Sequence, residues 1–437
     1  MDLNSERIKI ESTTYEHIYA YNVFGGYAMK GALDKLTVKG FKSIRELNEF
    51  KLGDLNVIIG ANGAGKSNFI QIFRMLMAMT QKNLSKFILE RGGADNFLFN
   101  GPKVTPKIDM EFEFASLSDN AKGSNSYRFE LTPTVDEKFL ISEERKYVTT
   151  NWRTYGSPAE ESRLYDERNE TSMDSRWNGV GHFVYESISK WMVYHFHDTS
   201  ASAPMRRSEI VEDYLKLRGD AANIAPFLLH LKNNELYSEY YKRIVDAVRL
   251  VIPFFDDFRL DVQKLGEAEK VRLSWNQKGS DFPMQPYHLS DGSIRFICLA
   301  AALLQPDPPP TIIIDEPELG LHPAAIVVLA ELIQAAAKQT QVILATQSPA
   351  LIDQFGIEDI IVMNRENGSS TFQQSKSFTS TYREGSGGIN RYCRVLKRTL
   401  SMLEPYEVKV SRTVLRGPGA GNSPRLPDTR CQLIGFL

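Results

Sequence analysis

An α/β fold is predicted, with a mixed sheet flanked by helices and a β-rich and helical insertion. Three features predict it: an apolar strand running into a glycine-rich turn, "NVIIGANGAGKSN"; a second apolar strand closing on carboxylates, "TIIIDEPE"; and regular strand–helix alternation over residues 287–363. In that last region "TIIID", "QVILA" and "DIIVM" are separated by helical runs at 291–304 and 323–338. Strands joined through helices pair in parallel, because the crossover returns the chain to the same edge.

In chain order, residues 1–28, polar and acidic, are read as an N-terminal extension, with Met29 a second possible start. Short strands and turns follow from Ala32 and end in the strand "LNVII". The stretches "KIDMEFEF" and "SYRFELTP" alternate at period two, as half-covered strands do. Residues 149–176 turn polar and are read as a surface loop. Helical periodicity dominates 208–251, as in "APFLLHLKNNELYSEYYKRIVDAVRLVI". The expected organisation is a first lobe at 29–135, an insertion at 136–284, a second lobe at 285–366, and an Arg- and Gly-rich tail at 367–437. Two readings of that tail stand side by side: a disordered basic segment, or a sequence altered by a frameshift.

Composition excludes several classes. A net charge of −2 over 437 residues rules out a polycation, so any nucleic-acid contact must come from a local patch. The three cysteines, Cys298, Cys393 and Cys431, lack metal-ligand spacing and suit a reduced, cytoplasmic setting. The most apolar runs are too short or too often broken to span a bilayer, and no signal peptide is evident.

"GANGAGKSN" fits G-x-x-x-x-G-K-[ST], follows a strand and opens a helix, which is the context of a P-loop. Backbone N–H groups of such a turn point at phosphate oxygens, a lysine adds positive charge at the β- and γ-phosphates, and the serine hydroxyl ligates Mg²⁺. Asn62, Gly63, Ala64, Gly65, Lys66, Ser67 and Asn68 are therefore the expected ATP cradle. Asp315, at the end of "TIIID", is the expected second Mg²⁺ ligand, and Glu316 is placed to orient the attacking water; the plainer reading of both is turn chemistry.

Together with "LSDGS" ahead of an apolar helix and with "VILATQSP", these motifs resemble an ABC-type ATPase head, most nearly the RecF/SMC-like predicted ATPases of bacteria, over residues 32–363. The resemblance implies that 289–293 occupy the ABC signature, so that Ser290 and Gly292 act in trans on ATP held by a second copy. It also implies a homodimer closed through nucleotide, and work on DNA in repair or in defence against foreign DNA. A plain Ser N-cap is the local alternative for Ser290. Asp291 departs from the usual glycine, and Gln347 stands where such heads carry a switch histidine; an amide can donate a hydrogen bond but cannot act as a base. Lys42 and Ser43 in "GFKSI" match an early turn that touches nucleotide, or form a solvated hairpin. Residues 92–101 are the one candidate for a Q-loop.

"YHFHD" at 194–198 offers a metal pair without a third ligand, so a structural strand end is the expected reading. Arg206 and Arg207 are either a nucleic-acid contact or a solvated helix start. Two rivals to a DNA-directed ATPase are an ATP-gated scaffold for a separate effector protein and a transporter ATPase, the latter disfavoured by the large insertion and by the "DGS" and "TQSP" variants. No TOPRIM-like acidic cluster follows, so a built-in nuclease is not expected.

Overall fold

The strand Leu55–Ile59 is buried at every position, and a strand without a wet face must be covered on both sides. In the computed structural model, which describes residues 31–115, 124–147, 150–171 and 179–374, this strand lies inside a six-stranded sheet. The order is Ser369–Gln374, Ile360–Glu366, Leu55–Ile59, Gln341–Thr346, Thr311–Asp315, Met192–Tyr194. The first pair is antiparallel and every other neighbour is parallel. Register sets Ile59 opposite Thr346 and Asp315 opposite Ala345. The glycine turn, the acidic pair and Gln347 therefore leave the sheet at one edge, the carboxyl end where parallel sheets hold ligands.

Alternate residues of these strands feed two cores. Val57, Ile59, Ile312, Ile314, Val342 and Leu344 pack with the helices Ile224–Asn233, Ser238–Val251, Asp291–Leu303 and Pro323–Ala336. Ile58, Ile313 and Ile343 face the other way, onto the helix Lys66–Met79. That helix is covered in turn by an antiparallel sheet ordered Ile44–Lys51, Leu33–Phe41, Ile108–Phe114, Asn125–Pro133, Phe139–Tyr147, Arg153–Thr154. From Ile294 to Leu303 the helix Asp291–Leu303 is buried all round, as a helix apolar on every face requires.

Four expectations are corrected. The boundary at 135/136 falls inside a hairpin, since Asn125–Pro133 pairs with Phe139–Tyr147; the first-lobe sheet continues to Thr154. Met192–Tyr194, placed in the insertion, is a strand of the parallel sheet. The polar stretch from residue 150, read as a surface loop, lies at the surface but contains the short strand Arg153–Thr154, and buried Glu143 accepts from Ser162 Oγ and Arg163 N, at 2.6 and 2.8 Å, and ties it to the sheet. Finally, the tail was started too early, because Ser369–Gln374 pairs with Ile360–Glu366 and carries Phe372 against Phe50 and Phe69, ring centroids 5.5 and 5.4 Å apart. Polar residues hid that strand; only pairing and one half-buried ring reveal it. The extension at 1–28, residues 375–437, Cys393 and Cys431 lie outside the described residues.

Candidate nucleotide site

Between the strand Leu55–Ile59 and the helix Lys66–Met79 the chain needs left-handed backbone, and glycines supply it: φ is +78° at Gly63 and +111° at Gly65. A Cβ on Gly65 would sit 2.3 Å from Ser370 Oγ and 2.6 Å from Ser43 Oγ, so bulk is excluded there as well. These neighbours brace the turn. Asn68 Nδ2 donates to Ser43 Oγ at 2.8 Å, while Ser370 Oγ lies 2.8 Å from Ser43 Oγ and 2.6 Å from Ala64 O. One hydroxyl proton cannot serve both neighbours, so Ser370 donates to the carbonyl and accepts from Ser43. Arg365 Nη1 donates to Gly63 O at 3.3 Å. Asn62 and Ser67 are exposed on the same turn.

Lys66 is buried, and its ammonium donates to Gly60 O at 2.7 Å and Ala61 O at 3.4 Å. Burial holds it below the ordinary lysine range, against the opposing pull of Glu316, Asp315 and Glu318. Burial raises the Asp315 carboxyl, and the adjacent Glu316 raises it further. Glu316 itself sits at φ +46°, an unfavourable angle for a side chain with a Cβ, fixed by its N–H to Ala345 O at 2.8 Å. Its Oε1 accepts from Gln347 Nε2 at 2.7 Å. The Gln347 amide, for which no partner was expected, thus contacts the Glu316 carboxylate.

Glu318 was not foreseen. Its Oε1 accepts from Thr346 Oγ1 at 2.5 Å, Ser348 N at 3.2 Å and Gln347 N at 3.3 Å, so it holds the loop carrying Gln347. Its Oε2 is buried with no hydrogen-bond partner among the described residues, and burial pushes the carboxyl up. The only sequence signal was a third carboxylate in "DEPE".

The GFKSI turn is not solvated. Lys42, at φ +50°, donates its N–H to Phe97 O at 2.7 Å and sets Nζ 4.4 Å from the Phe97 ring centroid, and burial lowers its ammonium. Phe97 belongs to the short turn of helix Ala94–Phe97, so residues 92–101 stand against this turn. His195 and His197 lie with ring centroids 4.0 Å apart, tilted by 35°, and His197 Nε2 donates to Asp315 O at 3.1 Å. His197 is thus a brace for the acidic strand. Among the described residues no group of three or more His, Cys, Asp and Glu could hold a metal ion.

In "LSDGS", Ser290 caps the helix Asp291–Leu303, its Oγ accepting from Ser293 N at 3.1 Å. Gly292 lacks a left-handed φ; it is required because a Cβ there would lie 2.2 Å from Gly320 O. Ser290 and Asp291 are exposed, while Leu289 is buried. The expectation that Arg206 is solvated or meets nucleic acid is overturned: its side chain is buried and forms an ion pair with Asp291 Oδ1 at 3.1 Å. Arg207 Nε donates to Ser202 O at 2.8 Å. Cys298 is buried in the same helix, its thiol pushed up by burial.

Residues 55–353 match the family profile described as "AAA domain, putative AbiEii toxin, Type IV TA system". The chain belongs to this AAA-domain family. The OLD nuclease of Thermus scotoductus is 22% identical over 341 residues, 74% of this chain and 60% of that protein; the chain thus spans about three fifths of that relative's length. The SMC head in the crystal structure of "the SmcHead bound to the C-winged helix domain of ScpA" matches with a TM-score of 0.52 at 15% identity, over 78% of this chain and 96% of that one. With the family match, the likeness to the SMC head gives this AAA-domain chain the fold of an SMC-type P-loop head. No helix among its described residues is long and apolar enough to cross a membrane.

Proposed function

We propose that this chain binds ATP with Mg²⁺ and hydrolyses it between two copies of itself, in the service of DNA repair or defence against foreign DNA. The observation that carries the catalytic part is the Gln347–Glu316 contact of 2.7 Å, at the sheet edge shared with buried Lys66.

The residues present fit a nucleotide and its metal. Among the described residues the buried ammonium bonds carbonyls of its own turn, which suits a phosphate anion there, and two carboxyls raised by burial beside Glu316 suit a cation that would relieve their crowding. When bound, Mg²⁺ would supply positive charge that offsets the charge of the phosphates. Ser67 and Asp315 would hold it. Lys66 would exchange Gly60 O and Ala61 O for phosphate oxygens, while the N–H groups of residues 62–68 cradle the anion. Glu316 would orient water and take its proton, and Gln347 would fix the carboxylate without competing for that proton. Lys42 and Ser43 flank the cradle, and Ser290 and Gly292 of the second copy would close it.

Glu316→Gln tests this. The variant should bind ATP and Mg²⁺, lose turnover by orders of magnitude, and accumulate by light scattering as a dimer in ATP that separates in ADP. Adding Ser290→Arg should abolish that dimer while each monomer keeps ATP. A dimer indifferent to nucleotide and to Ser290→Arg would reduce the signature position to a helix cap.

The DNA role is supported by the resemblance to RecF/SMC-like heads and by the name of the Thermus relative. A nearly neutral chain offers DNA only a patch, so binding should need ATP and weaken steeply with salt. Filter binding at low salt with non-hydrolysable ATP checks it; no binding to single- or double-stranded DNA would favour the ATP-gated scaffold of a separate effector.

A further inference from the structure

Arg206 is separated from the P-loop and the acidic strand in sequence, and the nucleotide reading makes no use of it. Its guanidinium reaches across 83 residues of chain to donate to Leu289 O at 3.2 and 3.3 Å, donates to Pro286 O, and pairs with Asp291 Oδ1 at 3.1 Å. Its Nε donates to Thr199 O at 2.9 Å. The Arg206 side chain is 6% exposed and that of Asp291 68%, so a buried fork grips the loop from behind while the carboxylate faces outward. A second arginine ties the same helix to the same segment: Arg295 Nε donates to Phe196 O at 2.8 Å and Nη2 to His197 O at 3.2 Å. Through His197 that segment also meets Asp315 O.

We propose that Arg206 is a positioning residue for the nucleotide site of a second copy: it fixes the helix mouth Leu289–Ser293 that this chain presents outward, and it neutralises Asp291 there. The inference rests on the shared-site reading above. A carboxylate at a helix N-terminus is welcome to the helix dipole but repels a phosphate approaching the same N–H groups. Arg206 offsets that charge and satisfies two carbonyls in the turn before the helix. A guanidinium fork is needed, because an ammonium cannot hold three acceptors in fixed directions. The mouth is then rigid, and Gly292 stays seated against Gly320.

Because the effect is exerted on the partner's site, mixing decides it. Arg206→Met alone should keep ATP affinity within about twofold, since its own cradle is untouched, and lose at least about tenfold in turnover. Glu316→Gln alone should be inactive. An equimolar mixture contains mixed dimers in which one site has both defects and the other has neither. Random assortment makes half of the dimers mixed, so turnover should recover to roughly a quarter of the parent's. Glu316→Gln mixed with Ser290→Arg is the control and should recover equally.

Recovery in the control without recovery for Arg206→Met would overturn the proposal, as would parental turnover of Arg206→Met alone. Failure of the control, with no ATP-dependent dimer of the parent, would overturn the shared-site reading itself. If Arg206→Met does not fold, Arg206→Lys in the same mixture gives the same expectation and the same refutation.

Discussion

The proposed phosphate cradle and the proposed signature mouth are both glycine-bearing turns that open a helix, yet different parts of the chain hold them. In the cradle the glycines answer a local demand: Gly63 and Gly65 take left-handed backbone, and Lys66 bonds carbonyls five and six residues back. At the mouth Gly292 answers a distant one, the carbonyl of Gly320, and its loop is gripped by Arg206. A turn whose geometry is set by its own φ angles writes a motif into sequence. A turn set by what packs against it is legible only through resemblance, as "LSDGS" was.

The largest expected effect lies in the cradle. Lys66→Ala should lower turnover by about 10²–10³-fold, the usual scale for removing one preorganised charge at a reacting group, with folding intact by circular dichroism. Normal hydrolysis at unchanged KM would end the P-loop assignment.

Next is the strand that braces the cradle. A chain ending at Asn367 loses half-buried Phe372 and buried Ser370, and should be less stable in denaturant than one ending at Gln374 by about 1–2 kcal/mol, below the scale of fully burying an aromatic side chain. Equal midpoints for the two chains would show that Ser369–Gln374 adds nothing to the sheet.

The two glycines sharpen the comparison directly. Gly65→Ala should weaken ATP binding and cost about 1–3 kcal/mol through strained φ and contact with Ser370 and Ser43. Gly292→Ala should cost a similar ~1–3 kcal/mol by meeting Gly320 O, yet leave ATP affinity of the monomer unchanged. Titration calorimetry beside urea unfolding separates them, and equal losses of affinity would erase the distinction.

The smallest effect is a pH slope. Burial raises Glu318 above the ordinary 4.5, so the folded state holds its proton more tightly than the unfolded chain. Its contribution to stability is complete below pH 4.5 and falls away as pH rises through the raised value. Glu318→Gln should remove that slope, gaining stability relative to the parent as pH increases. Melting temperatures of both chains across the range would reveal it; a constant difference would mean that Glu318 titrates alike in both states.

Much of the architecture was legible. "NVIIG", "TIIID" and "QVILA" are short apolar runs, as strands covered on both faces are, and their alternation with helical runs gave the parallel pairing and the flanking helices. The GFKSI turn was legible as a place but not as an environment, because nothing local says that Phe97 covers Lys42. Glu318 was passed over because a carboxylate near a turn is ordinary until Thr346 and Ser348 are found bonding to it.

By itself the sequence determined whatever depends on neighbouring residues: periodicity, the left-handed turn, the capping serine at Ser290, and the charge order Lys66, Asp315, Glu316. Only the tertiary structure decided that polar residues 369–374 form a strand, that Gln347 bonds Glu316, and that a basic pair in "APMRRSE" contributes Arg206 to the signature mouth. The physical reason is range. Backbone preference and hydrophobic period act over a few residues, whereas a buried charge takes its partner from any part of the chain that packing brings within about 3 Å.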